Sequence, residues 1–550
     1  MYKGYPVGYI TIWRNPNVKA KDGTISQGKR ILIDGQQRIT ALMTSILGYK
    51  IINKDYQSVR ISIAFNPIEK RFEVTNPAIR KDPKWIADIS EVFGSDFKIH
   101  KFVKNYVELN SIEDFDGIFE AIESLRGIVN NPIGVIELSS ELDIDTVTEI
   151  FIRINSAGTM LSQADFAMSK IAVNEKYGGN LLRKTIDYFC HMAVVPEFYY
   201  QIQQIDKEFT QTEYFKKMSW LKDEIDNLYD PSYTDMLRVA FTFKFKRGRL
   251  EDLVALLSGR NFETKEYEEA IVEESFKKLS DGIMDYMNEN NFKKFVMIIR
   301  SAGFIDNSMI RSQNALNFAY ILYLLLRELN FNQALIETLV RKWFVLSILT
   351  GRYSGSPESQ FDYDIRQLSQ NPESYIKNTI AAELSDAFWD LVLPQQMNTS
   401  VASSPEFNVF LAAQVKMNDK GFLSKDITVR ELIELKGDVH HIFPKEYLKK
   451  HGYTRGKYNQ IANYVMAQSE INIAIGSKPP NVYFKEIIEQ CNGGKLKYGA
   501  ITSIEELKKN LEMHCIPYDI ITMDVSSYEQ FLEERRKLMS QKIKRYFFEL

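Results

Sequence analysis

The most informative stretch of this chain reads Asp438-Val439-His440-His441-Ile442-Phe443-Pro444. It holds two of the six histidines in the sequence, and a neutral imidazole can accept a proton from water near neutral pH or bind a metal ion. Downstream lie Asn463 and, nine residues later, Asn472. A histidine on a strand, a loop, one asparagine, and a second asparagine on a helix form the arrangement that a single-metal nuclease needs.

The asparagines matter because of the chemistry of phosphodiester hydrolysis. A histidine can activate the attacking water, and a hard cation can stabilise charge on the leaving oxygen. One asparagine amide can orient the imidazole, and a second can give a carbonyl oxygen to the metal. A His-His pair alone is better explained as a strand end before a turn, but both asparagines at this spacing favour a nuclease. The three cysteines form no Cys-x-x-Cys pair, which argues against a zinc site.

The pattern resembles the core of the HNH (His-Me finger) nucleases. The resemblance implies that His441 is the general base, that Asn463 orients it, and that Asn472 completes a metal site for Mg²⁺ or Mn²⁺. Lys478 matches a phosphate-facing lysine of that family.

One position departs from the HNH pattern. The usual metal ligand before the base is aspartate, and here that position is His440. Asp438 lies two residues earlier, on the same face of a strand, and is expected to share the role.

A second motif lies near the N-terminus, where the buried strand Arg30–Asp34 leads through Gly35 into a helix that begins with Gln36-Gln37-Arg38. Glycine allows a close backbone approach to a ligand, and exposed amides at a helix N-terminus favour phosphate. Arg38 offers a planar guanidinium for the same group. A Gly-x-x-Arg step after a strand is, by itself, better explained as a structural turn.

Asp34-Gly-Gln-Gln-Arg38 followed by Ile-Thr40 closely resembles the signature of the ParB-like domain in GmrSD-type modification-dependent restriction enzymes. The segment from Phe151 to Asp165 resembles a second motif of that family, although Gly158 stands where ParB has arginine. The resemblance implies a nucleoside triphosphate site built from Asp34, Gly35, Gln36, Gln37, Arg38, Thr40, Arg153 and Asn155. Proteins of this family begin with a further segment before the equivalent of Gly4. The nucleotide-binding domain of this chain is therefore expected to be shorter at its N-terminus.

Composition sets the broad class. The chain has 550 residues, 45% hydrophobic and 26% charged, as expected for several globular domains. Few cysteines and no apolar leader favour a cytoplasmic protein without a membrane segment. The net charge of −3 does not by itself indicate nucleic acid, so DNA contacts are expected from local patches. The patch beside the histidines comprises Lys445, Lys449, Lys450, Arg455 and Lys457.

We predict an α+β, multi-domain fold. It comprises a ParB-like α/β nucleotide-binding domain (residues 1–165), a helical middle domain (166–397), and a ββα-metal HNH domain with a helical tail (398–550). The predicted function is a nucleotide-gated, modification-dependent DNA endonuclease of anti-phage defence, with an accompanying NTPase activity left open. Its partners would be modified double-stranded DNA and a nucleoside triphosphate, and pairing into a homodimer is left open. The alternative is a non-catalytic, nucleotide-switched DNA-binding or sensor component that needs a partner nuclease.

Overall fold

The computed structural model describes residues 1–5, 7–14, 30–53, 56–142, 146–147, 150, 153–154, 162–437 and 439–550. They form two compact units, Met1–Asp223 and Glu224–Leu550. The fold is mixed α+β and mostly helical, as predicted. The division into three domains by sequence character stays a prediction.

The first unit is built on a three-stranded sheet of order β2-β1-β7. Strand β1 pairs antiparallel with β2 and parallel with β7. Two small antiparallel pairs, β3 with β4 and β5 with β6, lie outside this sheet. The strands are β1 Tyr9–Arg14, β2 Arg30–Asp34, β3 Ile51–Ile52, β4 Ser58–Val59, β5 Ile63–Asn66, β6 Arg71–Val74 and β7 Gly134–Leu138.

Helices supply most of the core of the first unit. The apolar faces of α2 and α3 bury Val103, Ile122 and Leu125 against Phe65 of β5, because residues three and four apart share one helix face. The helices are α1 Gln36–Ser45, α2 Ile99–Asn110, α3 Phe115–Arg126, α4 Gln163–Val173, α5 Gly179–Val194, α6 Phe198–Ile205 and α7 Glu213–Met218.

The second unit is organised around a helix that is apolar on every side. In α12 all residues from Ala315 to Leu326 are buried, which marks a central core helix. Its helices are α8 Tyr233–Phe245, α9 Leu250–Leu257, α10 Glu269–Tyr286, α11 Glu289–Ser301, α12 Gln313–Glu328, α13 Gln333–Leu349, α14 Pro357–Gln370, α15 Pro372–Glu383, α16 Leu393–Gln396, α17 Pro405–Lys416, α18 Val429–Glu434, α19 Lys445–Lys450, α20 Arg455–Tyr458, α21 Ser469–Ile475, α22 Pro480–Cys491, α23 Ile504–Met513 and α24 Tyr528–Glu549.

Two short strands in the second unit carry the histidine pair. Strand β8, Val439–His441, pairs antiparallel with β9, Tyr464–Met466, and α21 follows β9 directly. The connection between the strands contains α19 and α20. This ββα order is the local arrangement that an HNH site requires.

One segment differs from what its sequence indicates. The alternating pattern from Val59 to Phe65 predicts one strand, but the segment divides into β4 and β5. Arg60 leaves the strand path to pair with Asp88 at 2.6 Å, and Ser62 donates to the same carboxylate at 3.3 Å. The polar segment from Asn398 to Pro405, whose composition predicts a linker, is non-helical around Thr399. The Thr399 carbonyl accepts a hydrogen bond from the Ile461 amide at 3.0 Å, which ties this segment to the region before β9.

Two further observations concern the described residues as a set. Cys190, Cys491 and Cys515 are free thiols. No helix in the described parts of the chain combines the length and apolar character needed to cross a bilayer.

Candidate nuclease site

Cross-strand pairing places the two histidines opposite Tyr464 and Val465 of β9. His441 lies opposite Tyr464, and His440 lies opposite Val465. The His441 ring meets the Tyr464 ring edge to face, with centroids 5.1 Å apart. The backbone pairing continues beyond β8, because Ile442 donates to the Asn463 carbonyl at 2.9 Å. The strand pair therefore fixes the backbone on both sides of His441.

The His441 side chain is held by Asn459. Its Nε2 lies 2.9 Å from Asn459 Oδ1, so Nε2 carries the proton and donates, which leaves Nδ1 as the basic nitrogen. Burial lowers the pKa of His441 and outweighs the Asn459 hydrogen bond, and nearby Lys445 and His440 lower it further. The imidazole is therefore neutral at neutral pH, the form that can accept a proton.

An open cavity of about 460 Å³ lies against this imidazole. Among the described residues, its polar lining comes from the end of β8, the start of α19 and helix α21. The lining residues are Val439, His440, His441, Pro444, Lys445, Glu446, Asn472 and Gly476. Three residues predicted from the sequence, His440, His441 and Asn472, thus share one cavity.

Asn463 stabilises the strand end and does not contact the His441 imidazole. Its Oδ1 accepts from the Phe443 amide at 2.8 Å. Its Nδ2 donates to the carbonyls of Phe443 and Tyr458 at 3.1 and 3.2 Å. The side chain is fully buried. The contact predicted for Asn463 is therefore made by Asn459, and Asn463 positions the backbone two residues beyond His441.

Lys478 lies in a charged cluster away from the cavity lining. Its Nζ donates to Glu486 at 2.9 Å and to the Tyr498 hydroxyl at 2.6 Å. Lys497 and Tyr498 bind the same Glu486 carboxylate, and together these groups lower the pKa of Glu486 to about 2. In the structure Lys478 thus shares the Glu486 carboxylate with Lys497, which differs from the phosphate-facing position that the resemblance implies.

Cations surround the cavity on the connection between the strands. Lys445 lines the cavity, and Lys445 and Lys449 both lie 5.8 Å from the centre of the Tyr458 ring. Lys449 is paired with Glu446 at 2.9 Å. Arg455 is close enough to Tyr464 to lower the pKa of its hydroxyl, although burial raises it overall. Of the predicted basic patch, Lys445 lines the cavity together with the acidic Glu446, and contact of the patch with DNA stays a prediction.

Buried groups from later helices hold the connection in place. Tyr483 of α22 donates to the Ile442 carbonyl at 3.0 Å. Tyr528 of α24 donates to the Tyr458 carbonyl at 3.3 Å. Arg535 of α24 is fully buried and donates to the Ala462 carbonyl at 2.7 Å. Removing such a partner leaves a buried carbonyl without a hydrogen bond, which is costly.

The N-terminal motif has the predicted strand-turn-helix geometry. Gly35 caps α1 with a φ of 98°, and a Cβ there would lie 2.7 Å from Ile10 Cγ2, so only glycine fits. Gln36 and Gln37 are exposed at the first turn of α1. Arg38 Nη2 pairs with Asp34 at 2.6 Å, and Thr40 lies two residues, about half a turn, further along α1. The first six residues predicted to bind nucleotide thus lie at the end of β2, the glycine turn and the start of α1, and their role in binding stays a prediction.

Some predicted residues lie outside what the structure describes. Asp438 and Asn155 are among these. Arg153 is described as exposed on a helical turn. In the described parts of the chain, histidine, cysteine and carboxylate side chains form no cluster of three that fits a metal. His440 and Asn472 thus remain the two described candidates for metal ligands.

Comparison with known proteins identifies the N-terminal region. Residues 1–172 match the family model of the GmrSD restriction endonuclease N-terminal domain. Residues 1–172 are therefore similar to the N-terminal domain of GmrSD restriction endonucleases, in agreement with the resemblance of the Asp34–Arg38 motif.

One curated relative is an uncharacterized protein of Methanocaldococcus jannaschii. It is 28% identical over 219 residues, which is 37% of this chain and 36% of that protein. The match thus spans about a third of the length of the relative. No solved structure matches the chain.

Proposed function

We propose that this chain is a metal-dependent DNA endonuclease, gated by a nucleoside triphosphate and directed at modified DNA in defence against phage. The observation that carries the nuclease assignment is the His441–Asn459 pair at the cavity shared with His440 and Asn472. Similarity of the N-terminal region to a restriction endonuclease family supports DNA as the substrate.

In this proposal His441 acts as the general base. With Nε2 donating to Asn459, the remaining nitrogen, Nδ1, removes a proton from the attacking water. A positioned base of this kind contributes about 10²–10⁴-fold to the rate. Asn459 fixes the ring and its tautomer, and Asn463 fixes the backbone that carries it.

The donors at the cavity fit a divalent cation. His440 offers an imidazole nitrogen and Asn472 an amide oxygen, and Asp438 would add a carboxylate. When bound, Mg²⁺ or Mn²⁺ would stabilise negative charge on the leaving oxygen. A nitrogen donor favours Mn²⁺ relative to Mg²⁺, so Mn²⁺ is expected to support cleavage at least as well.

Cations beside the cavity suit the phosphates of the substrate. Lys445 faces the cavity, and Lys450, Arg455 and Lys457 form no ion pair with a described acidic residue. Lysine and arginine contacts to phosphate position a duplex without reading its sequence. Choice of a modified target must therefore rest on other residues.

The N-terminal region would bind the nucleotide that gates cleavage. Exposed amides at the start of α1 and the Gly35 turn suit a phosphate. Arg38 would exchange its Asp34 partner for that phosphate, because its guanidinium is already positioned at the turn. The proposal requires nucleotide binding. Hydrolysis would be added to it by the detection of released phosphate.

A non-catalytic, nucleotide-switched sensor is the second candidate. The observation that favours it is the pairing of Lys478 with Glu486, which withdraws one cation expected at the phosphate. Under this alternative, DNA binding would respond to nucleotide while cleavage would need a partner nuclease.

Plasmid nicking separates the two candidates. The purified chain is incubated with supercoiled modified and unmodified DNA, Mg²⁺ or Mn²⁺, and each nucleoside triphosphate. Wild type should nick, His441→Ala should lose at least about 100-fold in rate, and His451→Ala is the matched control because His451 is an exposed histidine on the same connection. A loss below about tenfold in His441→Ala would overturn the assignment of the base.

A further inference from the structure

A second cavity in the second unit lies between helices α23 and α24. Its volume is about 580 Å³, which is within the range of about 300–1,000 Å³ that is usual for small-molecule pockets. One wall is a stripe of α24 whose members are three and four residues apart and therefore share a helix face, namely Leu538, Gln541, Lys542 and Arg545. The described residues that line it are all different from those that line the nuclease cavity. The two cavities are therefore separate sites.

Much of the surface inside this cavity is apolar. Leu511 of α23 and Ile516, which follows that helix, are buried. Leu538 of α24 lines the same cavity and is 39% exposed. Covering these side chains with the apolar part of a ligand would remove apolar surface from water, which is favourable. The cavity thus offers a binding surface for an apolar group.

Lys542 brings a buried ammonium group to this apolar surface. Its side chain is only 4% exposed, and its Nζ pairs with Asp419 at 2.7 Å and donates to the Met513 carbonyl at 3.0 Å. An ammonium group has three donors, so one of them has no partner among the described residues. A buried donor without an acceptor is costly. An acceptor that enters the cavity would therefore gain a charge-assisted hydrogen bond from Lys542.

Arg545 adds a second cation three residues along the same stripe of α24. It is exposed, and no acidic residue in the described parts of the chain forms an ion pair with it. Burial raises the pKa of Asp419, and both Lys542 and Arg545 oppose that rise, so the two cations lie near one carboxylate. The remaining charged lining residues, Lys508 and Glu512, cancel. The cavity therefore carries one excess positive charge beside its apolar surface.

We propose that this cavity binds an amphipathic organic carboxylate. Its apolar body would pack against the leucine and isoleucine side chains, and its headgroup would accept hydrogen bonds from Lys542 and Arg545. A carboxylate matches the guanidinium fork and neutralises the single excess charge. A phosphate dianion would instead add a second negative charge close to Asp419. This site goes beyond the proposed nuclease function and does not depend on it.

Calorimetry on the full chain tests the proposal with two carboxylates. Octanoate has a flexible apolar body and 2-naphthoate a flat one, so the preferred shape is measured directly. At least one should bind saturably at a single site with a Kd below about 1 mM, and it should raise the melting temperature because it binds the folded chain. Octanol lacks the charge and acetate lacks the body, so each should bind at least about tenfold more weakly.

Two variants locate the binding in this cavity. Arg545→Gln removes a cation at an exposed position, so the fold should persist while affinity falls at least about fivefold. Leu538→Trp should fill the cavity and abolish binding. The matched control is Lys537→Gln, because Lys537 lies on the same helix, outside the cavity lining, and is paired with Glu533 at 2.8 Å. Melting temperatures report whether each variant is folded.

Three results would overturn the site. The first is an absence of saturable binding of both carboxylates by wild type. The second is octanol binding as tightly as octanoate, which would remove the role of the cations. The third is wild-type affinity in both Arg545→Gln and Leu538→Trp, which would place the carboxylate elsewhere on the chain. Loss of nicking in any of these experiments would not bear on the site, because binding is measured without DNA.

Discussion

At the scale of single residues, Asn459 and Asn463 divide two tasks that the sequence assigned to one asparagine. Asn459 contacts the imidazole of His441 at 2.9 Å, whereas Asn463 binds the backbone of Phe443. We expect Asn459→Ala to lower the nicking rate by about tenfold while leaving the free energy of unfolding nearly unchanged, because the lost bond orients a base. The measurements are kcat on plasmid DNA and urea unfolding.

Asn463→Ala is the matched variant. It leaves buried backbone groups without partners, which costs about 1–3 kcal/mol for each group, so the free energy of unfolding should fall clearly along with activity. The division of tasks is wrong if Asn459→Ala is the variant that unfolds at lower urea, or if it nicks at the wild-type rate.

The metal site is tested at the same scale. We expect the double variant His440→Ala, Asn472→Ala to lose Mn²⁺ binding, because these residues are the two described candidates for ligands at the cavity. Isothermal titration calorimetry measures the affinity directly. The control is Lys478→Ala, since Lys478 is paired with Glu486 outside the cavity lining. Unchanged Mn²⁺ affinity in the double variant would exclude the assigned ligands.

At the scale of elements, the turn between β2 and α1 depends on one glycine. Gly35 has a φ of 98°, and an added Cβ would lie 2.7 Å from Ile10 Cγ2. We expect Gly35→Ala to destabilise the first unit by about 1–3 kcal/mol through backbone strain and steric overlap. Thermal unfolding checks this against Gly127→Ala, where nothing lies within 4 Å of an added Cβ. Equal melting temperatures for the two variants would contradict the prediction.

Elements with a strong local pattern were predictable from the sequence. The strands around Ile12 and Leu32 show β-type patterns, and the glycine turn after Asp34 carries its own signal. The break between β4 and β5 was not predictable, because it depends on Asp88 pairing with Arg60 from 28 residues further along the chain. Secondary structure read from local pattern cannot include such a distant partner.

The site shows the same limit. His440, His441 and Asn472 were found because their residue types and spacing are unusual. Asn459 was missed because an asparagine in a loop is ordinary, and its role depends on how the connection folds back toward β8. The only hint in the sequence is that Asn459 lies shortly before Asn463. That position does not distinguish a hydrogen-bond partner of the histidine from an ordinary turn residue.

At the scale of the whole molecule, a buried histidine makes the second unit sensitive to acid. His514 is fully buried, donates from Nε2 to the Lys420 carbonyl at 2.9 Å, and lies 3.3 Å from Gln414 Nε2. Burial, with help from Arg535, lowers the pKa of His514 to about 3. The unfolded chain has a histidine pKa of about 6.5. The neutral form therefore stabilises the fold above pH 6.5, and that contribution is lost as the pH falls toward 3.

We expect wild type to lose about 1.4 kcal/mol of unfolding free energy per pH unit from this residue between pH 6 and pH 4. In His514→Gln that contribution should disappear, because glutamine has no proton to gain. Urea unfolding at several pH values compares the two slopes, so that carboxylates common to both proteins cancel. Parallel pH profiles would show that His514 is not held neutral.

The proposed coupling between nucleotide and cleavage also belongs to the scale of the whole chain. We expect Arg38→Ala to weaken nucleotide binding at least about tenfold, because a bidentate guanidinium–phosphate contact is lost, and to leave Mn²⁺ affinity unchanged. Gating further requires that nucleotide bind two conformations with different affinities. ATP, GTP, CTP and UTP are titrated while nicking is followed. Binding that never alters the nicking rate would exclude gating.

Helix α24 has a consequence for the order of events during synthesis. The carbonyl of Ala462 and that of Tyr458 receive their partners from Arg535 and Tyr528, which the ribosome adds about seventy residues later. Domains fold as they emerge from the ribosome, N-terminal parts first. A nascent chain therefore carries both histidines well before the groups that fix their surroundings. Under the proposed function, the nuclease would become competent only after translation has passed α24.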